Sequence, residues 1–433
     1  MKRYSWEELD STALAGLCRR NPVEDPAVME TCREIFREVS SRGDEALREY
    51  TQRFDGVAIR EIRVLPEEFS EARSLITAER RKALEKACDN ITRFHAAQET
   101  REEVVQIQPG VSCWRETRAI DSVGLYVPGG NAVLPSTVLM LGVPARLAGC
   151  PMVQLCVPPG RNGCVAAEVL AASELAGIEK VFKVGGAQAI AALSLGTRSI
   201  QRVDKIVGPG NRWVQGGKLL AFLKGTAIDM VAGPSEVLVI ADEAANSEWV
   251  ASDLIAQAEH GSDSQAILVS DSQRMADEVA SLVWRQIEDL PRKQLASEAL
   301  ENSFCLVTPS LDAALDFANA YAPEHLILHL EEPSKWVARV RSAGSVFLGA
   351  WSPEVAGDYA SGTNHTLPTS GAARAFSGVS LDTFVKRITF QELTREGLRD
   401  LAPTLQVLAE AEALEGHRRA VSVRLDNASV SQV

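Results

Sequence analysis

Four apolar runs, each ending in a turn of glycine and proline, dominate the segment between residues 121 and 210. They are Leu125-Tyr-Val-Pro-Gly-Gly, Leu155-Cys-Val-Pro-Pro-Gly, Phe182-Lys-Val-Gly-Gly-Ala and Lys205-Ile-Val-Gly-Pro-Gly. A stretch that is rich in Ala, Leu or Val and can form a helix follows each of the first three turns. A spacing of about 23 to 30 residues matches a βα repeat, so this segment is predicted to form a parallel, doubly wound sheet.

The turns that end these runs are candidate sites for binding a nucleotide. Ligands of such sheets bind outside the carboxyl ends of the strands, where glycine lets backbone N–H groups approach a phosphate closely. Gly208-Pro-Gly210-Asn211 begins like the dinucleotide pattern G-x-G-x-x-G but continues with Arg212, and no acidic residue is identifiable as a partner for the ribose. The glycine pattern alone therefore leaves a dinucleotide site and ordinary turn chemistry equally open.

The two ends of the chain are predicted to be helical. Charged and apolar residues recur at helical spacing over residues 27–54 and 78–98, so the first 120 residues are predicted to be largely helical. Residues 390–423 are predicted to form two helical stretches around Pro403. Between these ends, residues 349–369 lack periodicity, and a loop of about twenty residues in a compact domain is usually functional.

A buried strand is predicted over residues 236–241, followed by a helix over residues 247–260 with Ser247 as its N-cap. Asp253, Gln257 and His260 lie at positions i, i+4 and i+7 and therefore share one face of this helix. A polar face exposed to solvent explains the same pattern.

Histidine is scarce in this chain, with six residues, yet four of the six stand near a carboxylate or carboxamide. His260 ends Gln257-Ala-Glu-His, His325 ends Pro323-Glu-His, His417 follows Glu412 by five residues, and His365 follows Asp358 by seven. Neutral imidazole is the commonest metal ligand and readily moves a proton near neutral pH. The distribution predicts a site assembled from distant segments.

Length, charge and cysteine content narrow the class of protein. A chain of 433 residues is expected to form two or three domains. The net charge of −13 and the lack of a Lys/Arg cluster argue against nucleic acid and anionic membranes as partners. The N-terminal residues lack the apolar stretch of a secretory signal, and the eight cysteines form no C-x-x-C pair, so a cytoplasmic protein with reduced cysteines is expected.

Several longer motifs resemble those of the histidinol dehydrogenases, NAD-dependent enzymes that oxidise histidinol to histidine in two steps. The motifs are Gly124-Leu-Tyr-Val-Pro-Gly-Gly, Val184-Gly-Gly-Ala-Gln-Ala-Ile-Ala-Ala-Leu, Val203-Asp-Lys-Ile-Val-Gly-Pro-Gly-Asn, Ile228-Asp-Met-Val-Ala-Gly-Pro-Ser-Glu-Val, Gln257-Ala-Glu-His-Gly, Ala322-Pro-Glu-His-Leu and Gly357-Asp-Tyr-Ala-Ser-Gly-Thr-Asn-His. The resemblance covers essentially the whole chain.

The resemblance implies two doubly wound, incomplete Rossmann-like α/β domains, with helical N- and C-terminal segments exchanged in a homodimer. The implied segments are an N-terminal arm (1–22), a larger α/β domain with the metal and catalytic residues (23–120 with 234–375), an NAD-side α/β domain (121–233) and a helical tail (376–433). The implied cofactors are NAD and one Zn²⁺ per subunit. The partner's tail is implied to complete the zinc site.

Site residues follow from the same resemblance. The implied zinc ligands are Gln257, His260, Asp358 and His417, and the catalytic pair is Glu324, which activates water, and His325, the general base. Contacts to L-histidinol are implied for Ser235, His365 and Glu412 besides those four ligands and His325, with Ser136 as a further candidate, and NAD contacts for Tyr126, Gln188 and Asn211. Gln257 rests on the resemblance alone, because a carboxamide oxygen is a poorer zinc donor than the neighbouring Glu259 carboxylate.

Other functions stay open at this point. A related enzyme on the same scaffold could oxidise another small hydroxy compound. A zinc hydrolase with Glu324 as base would lack the H-E-x-x-H motif and leave the glycine turns unexplained. A thiol mechanism through Cys113 or Cys150 is disfavoured because neither cysteine has an adjacent His or Lys to lower its pKa. A non-catalytic binding protein would have no use for base, metal and nucleotide residues together.

Overall fold

The structure is a computed structural model that describes residues 1–20, 25–100, 102–129, 133–230 and 233–426. Residues 21 and 22 of the predicted arm, Gly130 of the first glycine turn and the end of the predicted tail lie outside the described residues.

The helices are α1 (Ser11–Leu17), α2 (Pro26–Arg42), α3 (Asp44–Tyr50), α4 (Pro66–Leu75), α5 (Ala78–Ala96), α6 (Pro135–Leu147), α7 (Ala167–Ala176), α8 (Gly186–Leu195), α9 (Arg212–Leu223), α10 (Ser247–Ala258), α11 (Gln273–Gln286), α12 (Lys293–Glu301), α13 (Leu311–Tyr321), α14 (Glu354–Tyr359), α15 (Arg395–Ala411) and α16 (Glu415–Asp426). The strands are β1 (Lys2–Ser5), β2 (Val105–Gln108), β3 (Val111–Ala119), β4 (Ser122–Tyr126), β5 (Met152–Val157), β6 (Lys180–Lys183), β7 (Lys205–Val207), β8 (Ala227–Ile228), β9 (Glu236–Ala241), β10 (Gln265–Ser270), β11 (Phe304–Val307), β12 (His325–His329), β13 (Ser345–Leu348) and β14 (Val385–Leu393). Among the helices described, none is both long and apolar enough to span a membrane.

The four apolar runs form parallel strands, as predicted. They are β4 to β7, and with β8 they make a five-stranded sheet in the order β6-β5-β4-β7-β8. Successive side chains of a strand point to opposite faces. Leu125 and Val181 accordingly belong to one hydrophobic core, whereas Tyr126 and Phe182 belong to another on the opposite face. Burial on both faces explains why these runs are continuously apolar and confirms the doubly wound sheet.

A second parallel sheet follows in the chain, with six strands in the order β1-β11-β10-β9-β12-β13. It is also covered on both faces, because Val237 and Val239 lie in one core while Leu238 and Ile240 lie in another. Apart from the added edge strand β1, the first strand of each sheet lies third in the order and neighbours the fourth. Both sheets therefore have the order 3-2-1-4-5, that of a Rossmann sheet without its sixth strand, which confirms the two predicted incomplete Rossmann-like α/β folds.

Helices α2 and α5 pack on the five-stranded sheet. Val28 and Phe36 of α2 share a core with Tyr126, and Ile91 of α5 shares the opposite core with Leu125. These two helices thus complete the cores of the sheet formed by residues 122–228. They pack there because their apolar faces contact the helices that lie between the strands of that sheet.

The chain forms two compact units, Met1–Gln98 with Ile120–Phe384, and Glu99–Ala119 with Val385–Val433. In the described part of the second unit, β14 pairs antiparallel with β3 over nine residues and β3 pairs with β2, and α15 and α16 follow. The division into four segments is finer than this and stays a prediction.

Helices α2, α3 and α5 confirm the two helical stretches predicted within the first 120 residues, although β2 and β3 occupy residues 105–119. The prediction for residues 390–423 was wrong at two points. Residues 390–393 continue β14 instead of starting a helix. Pro403 does not separate two helices, because it lies inside α15. A proline removes one backbone hydrogen bond, and the other turns of a seventeen-residue helix keep theirs.

Candidate active site

Glu324 and His325 lie at the amino end of strand β12, between β9 and the edge strand β13. The chain leaves α13 through Ala322, which has a left-handed φ of 54°, and Pro323, so regular strand pairing begins only at His325. The Glu324 Oε2 and His325 Nδ1 atoms are 3.7 Å apart, and both side chains are buried. An irregular approach thus places the two adjacent side chains together, although adjacent residues within a strand point apart.

The backbone of Glu236, the first residue of the neighbouring strand β9, contacts both groups. Its N–H donates to Glu324 Oε2 at 2.9 Å, and its carbonyl accepts from His325 Nδ1 at 3.1 Å. A carbonyl can only accept, so Nδ1 carries a proton. In neutral His325 the lone pair is therefore on Nε2, which is buried and has no hydrogen-bond partner in the described part of the chain.

The predicted aperiodic loop contains the short helix α14, which the sequence did not reveal. Glu354 and Asp358 lie four residues apart on this helix, so both carboxylates reach the same side. Glu354 Oε1 is 3.5 Å from His325 Nδ1, and Asp358 Oδ1 is 3.7 Å from His325 Nε2. His325 is thus enclosed by three carboxylates.

Gln257 lies in the last turn of α10, and His260 follows the helix by two residues. The side chain of Asn246, and not that of the predicted Ser247, caps the amino end of α10. His260 Nε2 is 3.9 Å from Asp358 Oδ2. One ligand atom each from His260, Glu354 and Asp358 lie within 4.8 Å of one another. Gln257 is fully buried, yet its amide oxygen and nitrogen have no hydrogen-bond partner among the described residues. A buried polar group without a partner is costly, so this amide fits the role of a metal ligand.

The charges of this cluster favour a bound cation. Burial raises the pKa of Glu324 to about 8 and that of Glu354 to about 8. Burial lowers the pKa of His325, but the carboxylates of Glu354 and Glu324 outweigh it and raise this pKa to about 10. The neighbouring carboxylates therefore favour the protonated form of His325. A cation bound among them would offset their field and favour neutral His325.

His365 connects the cluster to the five-stranded sheet. Its Nδ1 donates to the backbone carbonyl of Asp358 at 2.8 Å, and its Nε2 lies 3.1 Å from Thr137 Oγ1 in the first turn of α6. Ser136 precedes Thr137 and is buried. Ser235 directly precedes β9, and its carbonyl accepts from Gln265. The structure therefore places His365 beside the helix that follows the first glycine turn, and Ser235 beside Glu236.

The predicted NAD contacts lie at the carboxyl ends of the five-stranded sheet. Tyr126 ends β4, and its hydroxyl accepts from the Gly186 N–H at 3.0 Å. Gln188 is buried in the first turn of α8, and Asn211 caps α9 by accepting from two backbone N–H groups. At the switch point between β4 and β7, Gly208 approaches Tyr126 so closely that an added Cβ would lie 2.1 Å from the Tyr126 carbonyl oxygen. Only glycine fits this turn.

Glu412 and His417 belong to the second unit. Glu412 ends α15 and His417 lies in α16, and both are exposed there.

Glu354 and Glu236 were not among the site residues predicted from the sequence. A signal for Glu354 was its four-residue spacing from Asp358 after Pro353, which suits the first turn of a helix. A signal for Glu236 was its place in a run predicted to be a buried strand, because a buried carboxylate requires a partner.

Two Rossmann-like sheets, one with glycine turns at its carboxyl ends and one with a buried histidine–carboxylate cluster, are typical of an α/β enzyme. The sequence signature of the family described as histidinol dehydrogenase matches residues 18–425. The chain belongs to the histidinol dehydrogenase family and is an oxidoreductase.

Individual relatives agree over nearly the full length. The chain is 48% identical to histidinol dehydrogenase from Bacteroides thetaiotaomicron, covering 95% of this chain and 96% of the relative. It is 46% identical to the chloroplastic histidinol dehydrogenase of Arabidopsis thaliana, covering 100% and 93%. The crystal structure of histidinol dehydrogenase from Elizabethkingia anophelis superimposes with a TM-score of 0.95 at 45% identity, covering 99% of each chain.

Proposed function

We propose that this chain oxidises L-histidinol through histidinaldehyde to L-histidine, the last step of histidine biosynthesis, with NAD as the electron acceptor. The observation that carries the proposal is the family match over residues 18–425, together with the convergence of His260, His325 and Asp358 in one cluster. The cytoplasmic location expected from the sequence is part of this proposal.

The metal is proposed to be zinc, held by Gln257, His260, Asp358 and the tail residue His417. The unpartnered Gln257 amide and the surplus of buried carboxylates support a cation at this place. When bound, zinc supplies a Lewis acid with open positions for the imidazole and amino nitrogens of histidinol. Glu354 lies within the same cluster and is an additional candidate ligand.

His325 is the proposed general base. Its Nδ1–H is held by the Glu236 carbonyl, so Nε2 is the atom that accepts the hydroxyl proton of the alcohol. Bound NAD would be the acceptor of the hydride that leaves the carbinol carbon. His325 repeats this role when the aldehyde hydrate is oxidised to the carboxylic acid.

Glu324 is proposed to form that hydrate. The Glu236 N–H holds its carboxylate, and burial raises its pKa to about 8, so the ionised form of Glu324 is a stronger base than an ordinary carboxylate. Glu324 takes a proton from water while the water oxygen adds to the aldehyde carbon. This oxygen becomes the second oxygen of the product carboxylate.

Substrate contacts are proposed for Ser235, His365 and Glu412 besides the zinc ligands and His325. NAD contacts are proposed for Tyr126, Gln188 and Asn211. His365 lies between the cluster and α6, which supports its placement near the boundary of substrate and cofactor. We further propose a homodimer in which the partner's tail supplies Glu412 and His417 to each site.

Product analysis tests the reaction. Purified enzyme is assayed for NAD reduction with histidinol, simple diols and hydroxysulfonates, and the histidine formed is quantified. We expect two NADH per histidine and no comparable rate with the other compounds. Faster turnover of a diol or hydroxysulfonate would assign the chain to another reaction on the same scaffold.

A further inference from the structure

A buried ion pair lies behind the catalytic pair and does not take part in the reaction proposed above. Arg20 Nη1 donates to Glu236 Oε2 at 2.9 Å, and the two side chains are only 9% and 3% exposed. The second carboxylate oxygen, Glu236 Oε1, accepts from the backbone N–H of Ser370 at 3.0 Å. Both oxygens of Glu236 are therefore fixed.

The position of this side chain determines the position of its own peptide groups. The Glu236 N–H and carbonyl are the two groups that hold Glu324 and His325. A displacement of Glu236 would thus move the acceptor of the His325 Nδ1 proton and the donor to Glu324 at the same time.

Arg20 also contacts the end of helix α13, which leads to Glu324 and His325. Its Nη2 donates to the carbonyl of Tyr321, and its guanidinium carbon lies 3.4 Å from the centre of the Tyr321 ring. Tyr321 ends α13 and precedes Glu324 by three residues. One guanidinium therefore contacts Glu236, whose backbone holds the catalytic pair, and the end of the helix that leads to this pair. Its planar fork suits these two acceptors in a way that a lysine ammonium does not.

We infer that Arg20 and Glu236 are positioning residues that align Glu324 and His325 for proton transfer. The inference rests on the proposed function of that pair. A misplacement of about 1 Å at a catalytic group can lower the rate about 10²-fold. The N-terminal segment that carries Arg20 is thereby necessary for catalysis without touching the substrate.

The test uses the full-length, zinc-loaded enzyme and the variants Glu236→Gln, Arg20→Met and Arg20→Lys. Arg19→Met is the matched control, because Arg19 adjoins Arg20 in sequence but is exposed. We expect kcat to fall about 10²-fold in Arg20→Met and Glu236→Gln, while zinc content and the KM for NAD stay within about twofold of wild type. Arg20→Lys, which keeps the charge but loses the fork, is expected to recover about tenfold of the Arg20→Met loss, and Arg19→Met to match wild type.

Hydrogen exchange provides a readout independent of turnover. The amide of residue 236 is protected by its bond to Glu324, so peptides spanning 234–241 should exchange faster in Arg20→Met than in Arg19→Met, with other strands unchanged. If wild-type protein oxidised no histidinol, the proposed function would fail while this comparison still decided the positioning role.

A kcat within twofold of wild type in folded Arg20→Met and Glu236→Gln would overturn the inference, as would unchanged exchange at residue 236. An increase in KM without a loss of kcat would also overturn it, since that result describes substrate binding. If neither variant folds, Arg20→Lys decides: a tenfold lower kcat supports the alignment role, and wild-type kcat contradicts it.

Discussion

Replacing Gly208 by Ala is expected to weaken both the fold and NAD binding. Gly208 has a φ of 140°, and an added Cβ would lie 2.1 Å from the carbonyl oxygen of Tyr126. Both partners are backbone, so no side chain can move aside. Because ordinary Cβ contacts do not fall below about 3.0 Å, the turn after β7 must separate from β4 by about 1 Å.

The magnitude follows from three contributions. A side chain in this region of φ costs about 1 to 3 kcal/mol, and overpacking costs a similar amount. The shift also strains the bonds from the Gly208 N–H to Asp229 at 2.8 Å and from Lys218 Nζ to the Gly208 carbonyl at 3.0 Å. Losing one hydrogen bond to a charged group costs about 1.5 to 3 kcal/mol, so the total is about 4 to 9 kcal/mol. For 433 residues the unfolding entropy is about 0.9 kcal/mol per kelvin, and Tm should fall by about 4 to 10 °C.

Gly149→Ala is the matched control, since Gly149 has a φ of 78° but nothing within 4 Å of an added Cβ. This variant carries only the backbone strain of about 1 to 2 kcal/mol, or a Tm lower by about 1 to 2 °C. Calorimetry gives Tm, and isothermal titration gives the Kd for NAD, which should rise about tenfold or more in Gly208→Ala alone. Equal Tm and equal Kd in the two variants would refute the argument from close approach.

Three further outcomes concern the chemistry. His325→Asn is expected to lower kcat by about 10² to 10⁴ with zinc content and NAD binding retained, and more than half of wild-type turnover would remove His325 from the mechanism. Chelation is expected to abolish histidinol oxidation while the circular dichroism of the α/β core persists and added zinc restores turnover, whereas full activity in metal-free protein would contradict the zinc assignment. When His260→Asn and His417→Asn chains are unfolded separately, mixed and refolded, about a quarter of the sites should regain activity if each tail serves the partner; complete refolding without turnover would exclude the exchange.

The parallel sheets were predictable because burial on both faces leaves a strong signal in sequence. The apolar runs beginning at Leu125 and Leu155, and the strand over residues 236–241, had to be continuously apolar, and glycine turns marked their ends. Strand β14 gave no such signal, because most of its residues are exposed and apolar and polar residues do not alternate regularly along it. Its pairing with β3 is a long-range contact that no local pattern encodes.

The histidines of the site could be predicted from the sequence, but the contacts that support them could not. His260 and His325 stood out because histidine is rare in the chain. Glu354 did not, because α14 has only six residues and is too short for helical periodicity to show. The roles of Arg20 and Glu236 depend on side chains that are 216 positions apart, so they became visible only in three dimensions.

The order of segments along the chain has a consequence for how the protein is made. The apolar faces of α2 and α5 leave the ribosome before the sheet that covers them, whose last strand ends at Ile228. The interval from Ala96 to Ile228 is 132 residues, which takes about 7 to 26 s at 5 to 20 residues per second. Strand β1 stays unpaired still longer, because its partner strand β11 begins only at Phe304. The nascent chain therefore displays unpaired apolar helices for many seconds, and its synthesis at growth temperature should depend on chaperones that bind such surfaces.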